Sequence, residues 1–201
     1  MKSPIMKRVP TIFEIGVDEV GRGPIAGPVA VGAFVFLNPS AKKLFRGVKE
    51  SKQLTEFQRE DWFKKILTVK ALGHIDFAVT FKSEKFIDSQ GLTKAIRSAL
   101  ELSLNELAID PNSTRVLLDG GLKAPAHYEN QKTIIKGDEK HMVIALASIC
   151  AKVLRDRKMN LLAKKFPAYL FENHKGYGTK AHYEAIEKWG ILAVHRRRFL
   201  R

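Results

Sequence analysis

Cysteine is nearly absent from this chain. Cys150 stands alone, so no internal disulfide can form and a reducing compartment is expected. It sits in the apolar stretch Val143 to Val153, where a thiol packs as a small hydrophobe rather than acting as a nucleophile. No apolar run approaches the roughly 20 residues that span a bilayer. The basic start, Met1 to Pro10, lacks the apolar segment of a signal peptide. A cytoplasmic protein without a membrane role is the expectation. No Ser/His/Asp or Cys/His set points to covalent catalysis. The six histidines are scattered, and His174 and His195 lie in basic stretches that read as duplex-contacting or solvated surface. Internal repeats are missing, and the one low-complexity tract is the basic tail His195 to Arg198. Acidic residues are scarce too: 21 Asp+Glu face 35 Lys+Arg, a formal charge of +14. Such an imbalance suits a polyanionic partner, usually nucleic acid and less often an anionic membrane surface, but names no reaction.

What is present is core material: 45% of the 201 residues are hydrophobic, enough for one packed domain. Residues 12–20 and 28–37 read as β-rich segments joined by a Gly/Pro turn, and 38–55 as a polar, basic surface loop. Helical spacing covers 56–71, with Thr55 as N-cap and Phe57, Trp62, Phe63, Ile66 and Leu67 as the apolar stripe. A third strand is expected over 73–82 and a helix over 92–108 with Leu92, Ile96, Leu100, Leu104 and Leu107 on one face. Short strands follow at 115–118 and 133–135, then helices over 139–164 and 180–189. Three successive strands followed by alternating helix and strand predict an α/β fold with a mixed sheet, antiparallel first and parallel later, flanked by helices.

Three predicted strands end in an acid beside glycine: Glu19 before Gly21, Asp119 before Gly120, and Asp138 after Gly137. Sites in α/β sheets form where strand ends, loops and helix starts meet. If these strands are neighbours, Asp18, Glu19, Asp119 and Asp138 form one cluster, and four close carboxylates repel unless a cation neutralises them. Carboxylate oxygens are the hard ligands that Mg²⁺ prefers. Adjacent strand residues point to opposite faces, so Asp18 and Glu19 need a bend or bulge near Gly21 to reach one ion. Taken singly, each acid has a plainer reading: solvated strand-end charges for Asp18 and Glu19, a turn for Asp119, and a helix cap for Asp138.

The words around these acids resemble a known family. Gly16-Val17-Asp18-Glu19-Val20-Gly21-Arg22-Gly23-Pro24 is similar to the signature of bacterial type 2 ribonuclease H, ribonuclease HII. Ser51-Lys52-Gln53-Leu54, Leu118-Asp119-Gly120, Lys136-Gly137-Asp138, Ala147 to Val153 with Arg155-Asp156, and His174 to Thr179 follow in the family's order. The resemblance covers roughly residues 12 to 199. It implies a ribonuclease H-like sheet of five strands in one catalytic domain over 1–201, with a core at about 12–165 and a helical, basic C-terminal segment at about 166–201. It implies that Asp18, Glu19, Asp119 and Asp138 bind metal, Mg²⁺ or Mn²⁺, two ions with substrate bound. Gly21, Arg22 and Gly23 match the tripeptide that senses the 2′-hydroxyl where RNA meets DNA. Tyr177 matches the tyrosine that stacks on the following deoxyribose, and Ser51 and Lys52 a phosphate-contacting loop.

The implied activity is endonucleolytic hydrolysis of RNA in RNA–DNA hybrids and at single ribonucleotides in duplex DNA, leaving 5′-phosphate and 3′-hydroxyl ends. Glu50 replaces a usual aspartate, Gln53 a common lysine and Arg198 a common serine; none touches the four acids. Asp156 reads as a helix-surface ion-pair partner. Lys152, Arg155, Arg157, Lys158, Lys164, Lys165 and the tail arginines read as sequence-independent phosphate contacts. A monomer with no evident protein partner is expected. A DNA-junction resolvase on the same architecture and a non-catalytic hybrid-binding protein are the rival readings.

Overall fold

The computed structural model describes residues 12–200; the basic segment Met1 to Pro10 lies outside them, as does Arg201. The sheet holds β1 (Phe13–Val20), β2 (Val29–Phe36), β3 (Ile75–Lys82), β4 (Thr114–Asp119) and β5 (Gln131–Ile134) in the order β3-β2-β1-β4-β5. β1–β2 and β2–β3 are antiparallel; β1–β4 and β4–β5 are parallel. The mixed sheet anticipated from the chain order is therefore present. Because β1, β4 and β5 run side by side in one direction, their C-terminal ends share one edge.

The helices are α1 (Glu56–Ala71), α2 (Glu84–Gln90), α3 (Leu92–Glu106), α4 (Gly137–Lys140), α5 (Met142–Lys165), α6 (Phe171–His174) and α7 (Lys180–Trp189). α3 packs on one face of the sheet, over Ile15, Val17, Val31, Val35 and Val116. α5 and α1 cover the other, over Phe34, Phe36 and Leu117. β2 is covered on both faces, so all eight of its residues are buried and it reads as a continuous Val/Ala/Phe run. α5 crosses β1 and β2 closely because both carry glycine beneath it. A Cβ on Gly16 would sit 2.2 Å from the Val143 carbonyl carbon, and one on Gly32 would sit 2.5 Å from the Ala147 oxygen. A third cluster, Ala26, Met159, Tyr169, Phe171 and Ala185, joins the C-terminal segment to α5.

Several expectations need correction. The stripe of α1 is Phe63, Ile66 and Val69; Phe57 and Leu67 are exposed. Thr55 does cap it, in a reciprocal capping box with Gln58. Residues 38–55 contain two 3₁₀ turns, Pro39–Phe45 and Ser51–Gln53, and bury Phe45 against Phe34, Phe36 and Trp62. α2 lies in a stretch with no assigned element, started by the Ser83 side chain accepting from the Phe86 N–H. The long helix of 139–164 is two pieces, broken at His141, whose extended backbone (φ −127°, ψ 117°) leaves α4 as one turn.

Candidate active site

A cavity of about 350 Å³ opens at the shared edge, lined by Asp18, Glu19, Asp119, the Gly21 to Gly23 loop, Ser51, Lys52 and Tyr177. The register explains the meeting: the parallel pairing ends at Val17 with Leu118, and one step further Asp18 comes beside Asp119, the last residue of β4. Asp138, in the first turn of α4, does not itself line the cavity; it is buried behind it, 3.7 Å from the ammonium of Lys52, which does. It is not the N-cap of that helix; Lys136 is, in a left-handed conformation (φ 54°).

No bulge brings Asp18 and Glu19 together. The β1–β2 register runs unbroken through Val20 to Ala30, and the bend comes after the strand, at Gly21 (φ 92°). The two side chains leave opposite faces, yet both line the cavity because β1 ends there. Asp18 lies on the α5 side with Ser148 at hand, and the mostly buried Glu19 on the opposite side, against Arg22, 2.8 Å away.

Burial drives the electrostatics. It pushes the Asp18 carboxyl up to about 8; the Ser148 hydroxyl draws it back, and Glu19, Asp119 and Asp138 push it further. Burial also raises Glu19 against the opposing pull of Arg22, and Asp138 against that of Lys52. Three of the four carboxylates accept from nearby main chain: the Glu19 N–H donates to Asp18 Oδ1 (2.8 Å), the Gly137 N–H to Asp119 Oδ1 (2.6 Å), and the Glu139 N–H to Asp138 Oδ1 (3.1 Å). Held this way, no three His, Cys, Asp or Glu side chains among the described residues stand at metal-holding distance of one point. The donor set nevertheless fits a divalent cation. Glu19 Oε2 and Asp138 Oδ2 are buried without a hydrogen-bond partner, a costly state for carboxylate oxygens that a hard cation relieves.

The glycine loop is fixed by parts the sequence did not reveal. Arg155 and Arg196 are fully buried. Arg196 donates to the carbonyls of Gly21 (2.7 Å), Arg22 (3.0 Å) and Gly27 (2.8 Å), and Arg155 to those of Pro28 (2.9 Å) and Lys175 (3.1 Å). Where the sequence predicts phosphate contacts, both hold main chain instead. Arg157 is likewise engaged, forked onto Glu60. A Cβ on Gly21 would meet the Arg155 Nε at 2.2 Å, so a side chain is excluded there twice, by space and by backbone angle.

Histidine forms a second support. His182 Nε2 lies 3.1 Å from His195 Nε2, and the His174 and His182 rings stack at 4.3 Å. His182 Nδ1 meets the Tyr177 carbonyl at 2.8 Å, and His174 Nδ1 accepts from the Gly176 N–H. His195 is buried, so neither a duplex contact nor a solvated surface describes it. Burial lowers His182 to about 4 and lowers His195, which keeps the pair neutral and packed. The Tyr177 ring is half exposed, 3.5 Å from where a Gly23 Cβ would stand.

Ser51 turns inward, its hydroxyl 2.8 Å from that of Ser148, while Lys52 stays exposed. Ser148, which the sequence does not mark as a site residue, also lines the cavity, as does Lys152, one of the expected phosphate contacts. Asp156 is an ion-pair partner, but a buried one, between Lys152 (2.8 Å) and Arg59 (3.7 Å).

Five strands ordered 3-2-1-4-5 with acids at the ends of β1 and β4 define a ribonuclease H-like α/β protein. A family model described as Ribonuclease HII matches residues 15–201. A ribonuclease HII of Caldicellulosiruptor bescii is 42% identical over 189 residues, 94% of this chain and 87% of that protein. One of Coxiella burnetii is 41% identical over 200 residues, 99% and 94%. The crystal structure of ribonuclease H2 from Pyrococcus horikoshii OT3 superposes with a TM-score of 0.74 at 27% identity, covering 93% of each chain. The chain belongs to the ribonuclease HII family. Proteins of this family are metal-dependent endoribonucleases.

Proposed function

We propose that this chain hydrolyses the RNA strand of RNA–DNA hybrids and cuts at single ribonucleotides embedded in duplex DNA, leaving 5′-phosphate and 3′-hydroxyl ends, and that residues 1–201 act as one catalytic unit. The observation that carries the reading is the meeting of Asp18, Glu19 and Asp119 with the Gly21–Gly23 loop in one cavity. Asp18, Glu19, Asp119 and Asp138 would hold Mg²⁺ or Mn²⁺. When bound, these ions supply Lewis acidity toward water and phosphate.

The remaining roles belong to the chain's own groups. Burial keeps water from competing for the carboxylates, and the orphaned oxygens of Glu19 and Asp138 are free to ligate. Main chain of the Gly21–Gly23 loop faces the cavity, and Gly23 lacks the side chain that would keep a ribose away, which suits recognition of the 2′-hydroxyl. Arg196 holds the carbonyls of Gly21 and Arg22 in place for that task. The half-exposed ring of Tyr177 offers an apolar face for the neighbouring sugar. Lys52 and Lys152 bring positive charge to the phosphate's side of the cavity.

The test is cleavage of a DNA duplex bearing one ribonucleotide, beside the same duplex without it, with and without Mg²⁺. Mg²⁺-dependent cutting confined to the ribonucleotide strand is expected. An intact ribonucleotide duplex would exclude this reading and leave the junction-resolvase or hybrid-binding alternatives.

A further inference from the structure

We infer that a groove leading away from the acidic cavity, between α3 and the loop after β4, holds a backbone phosphate of the duplex outside the cleavage site, with Arg97 and Lys123 as its cationic contacts. The inference rests on the nucleic-acid reading above and extends it to a surface that no motif marks.

Arg22 joins two spaces: it walls both the acidic cavity and a neighbouring hollow of about 120 Å³. Arg97 and Lys123 stand on the sides of that hollow, over the buried side chains of Ile96, Leu100 and Leu122. The hollow adjoins an outer one of about 270 Å³ whose walls include the same two cations. A duplex seated with a sugar at the Gly21–Gly23 loop is longer than the cavity, and its backbone must leave along some surface. This one begins at Arg22.

Both cations ride on fixed backbone. Arg97 sits on α3 between the buried pairs Ala95–Ile96 and Ala99–Leu100. Lys123 lies between two anchored neighbours: the Leu122 carbonyl accepts from the Thr133 hydroxyl (2.8 Å), and the Ala124 N–H donates to Gln131 Oε1 (2.8 Å). Gln131 in turn donates to the carbonyls of Ala124 and Tyr128. Both residues are exposed. Neither forms an ion pair among the described residues, whereas Arg22, Lys52, Lys152 and Arg157 all do. Two rigidly mounted, uncompensated cations around one hollow favour an anion between them. Glu101 lines the outer hollow, which confines the anion to the inner one. A phosphodiester is the chemistry that fits, since it brings negative charge without demanding base contacts.

The experiment is fluorescence-anisotropy binding of an all-DNA duplex in Mg²⁺ as KCl is raised, beside ribonucleotide cleavage by the unaltered chain. Each phosphate contact contributes a slope of about −0.9 in log K against log salt for B-DNA. The Arg97→Gln and Lys123→Gln variants should each flatten the slope, and the double variant, which loses the one shared phosphate, should flatten it by about 0.9. The exchange R97K with K123R should keep it. In cleavage the double variant should raise KM and leave kcat unchanged. Wild-type slopes in the glutamine variants would overturn the groove and mark both residues as solvated surface charge. An unaltered chain that fails to cut the ribonucleotide would instead remove the reading beneath it.

Discussion

Asp18 shows how a single carboxyl ties stability to function. An aspartic acid in an unfolded chain titrates near ~3.9, whereas burial holds Asp18 up to about 8 in the fold. Between those values the folded protein keeps a proton that the unfolded chain has released, so stability falls as pH rises through this window. Glu19 and Asp138, both raised, act in the same direction. In cation-free buffer, Tm should therefore decline from about pH 4 to about pH 8, and Asp18→Asn should remove much of the decline. Added Mg²⁺ should raise Tm more at the alkaline end, where the ligands are ionised; thermal melts across pH check both. Gly21 and Gly23 make a second contrast. Gly21→Ala meets Arg155 at 2.2 Å with φ 92°, and should lower stability by about 2 kcal/mol or more, whereas Gly23→Ala has room and should melt near wild type. The acids were legible in the sequence because a carboxylate pair ending an apolar run has few structural uses. Arg155 and Arg196 were not, because nothing in a residue's name separates a buried guanidinium binding carbonyls from an exposed one binding phosphate.

At the scale of elements, most of the fold followed from periodicity, and the failures have local causes. α3 has one clean apolar face, and its expected stripe is the buried one; α1 spreads its apolar residues around the helix, so that Phe63 and Ile66 of the expected stripe are buried while Phe57 and Leu67 are not and Val69 takes their place. α2 is only seven residues long, too short for a period to show. The helix break at His141 carries no proline or glycine to announce it. The loop clamp is the element with most leverage on the site: Arg196 ends three carbonyl contacts that nothing else replaces. Each buried carbonyl left bare costs about 1–3 kcal/mol, so Arg196→Ala should lower stability by about 3 kcal/mol or more, measured by denaturant unfolding. His182→Ala should release the Tyr177 carbonyl, raising KM for ribonucleotide duplex while the Mg²⁺ dependence of cleavage persists.

Over the whole molecule, the site exists because β1, β4 and β5 run parallel and adjacent, which brings residues 18, 119 and 138 to one edge. The acidic motifs could be seen along the chain, but their adjacency depends on a strand order that local sequence does not encode. A net charge of +14 surrounding an acidic pocket is the large-scale counterpart of the same arrangement: an exterior whose charge suits a polyanion and an interior whose carboxylates suit a cation. The most direct measurement compares the unaltered chain with Asp18→Asn and Asp119→Asn on a duplex containing one ribonucleotide, scoring binding and Mg²⁺-dependent cleavage separately. Cleavage should fall on the order of 10³-fold or more in both variants while binding changes little. Mg²⁺-dependent cutting at near wild-type rate by either variant would contradict the assignment of these carboxylates.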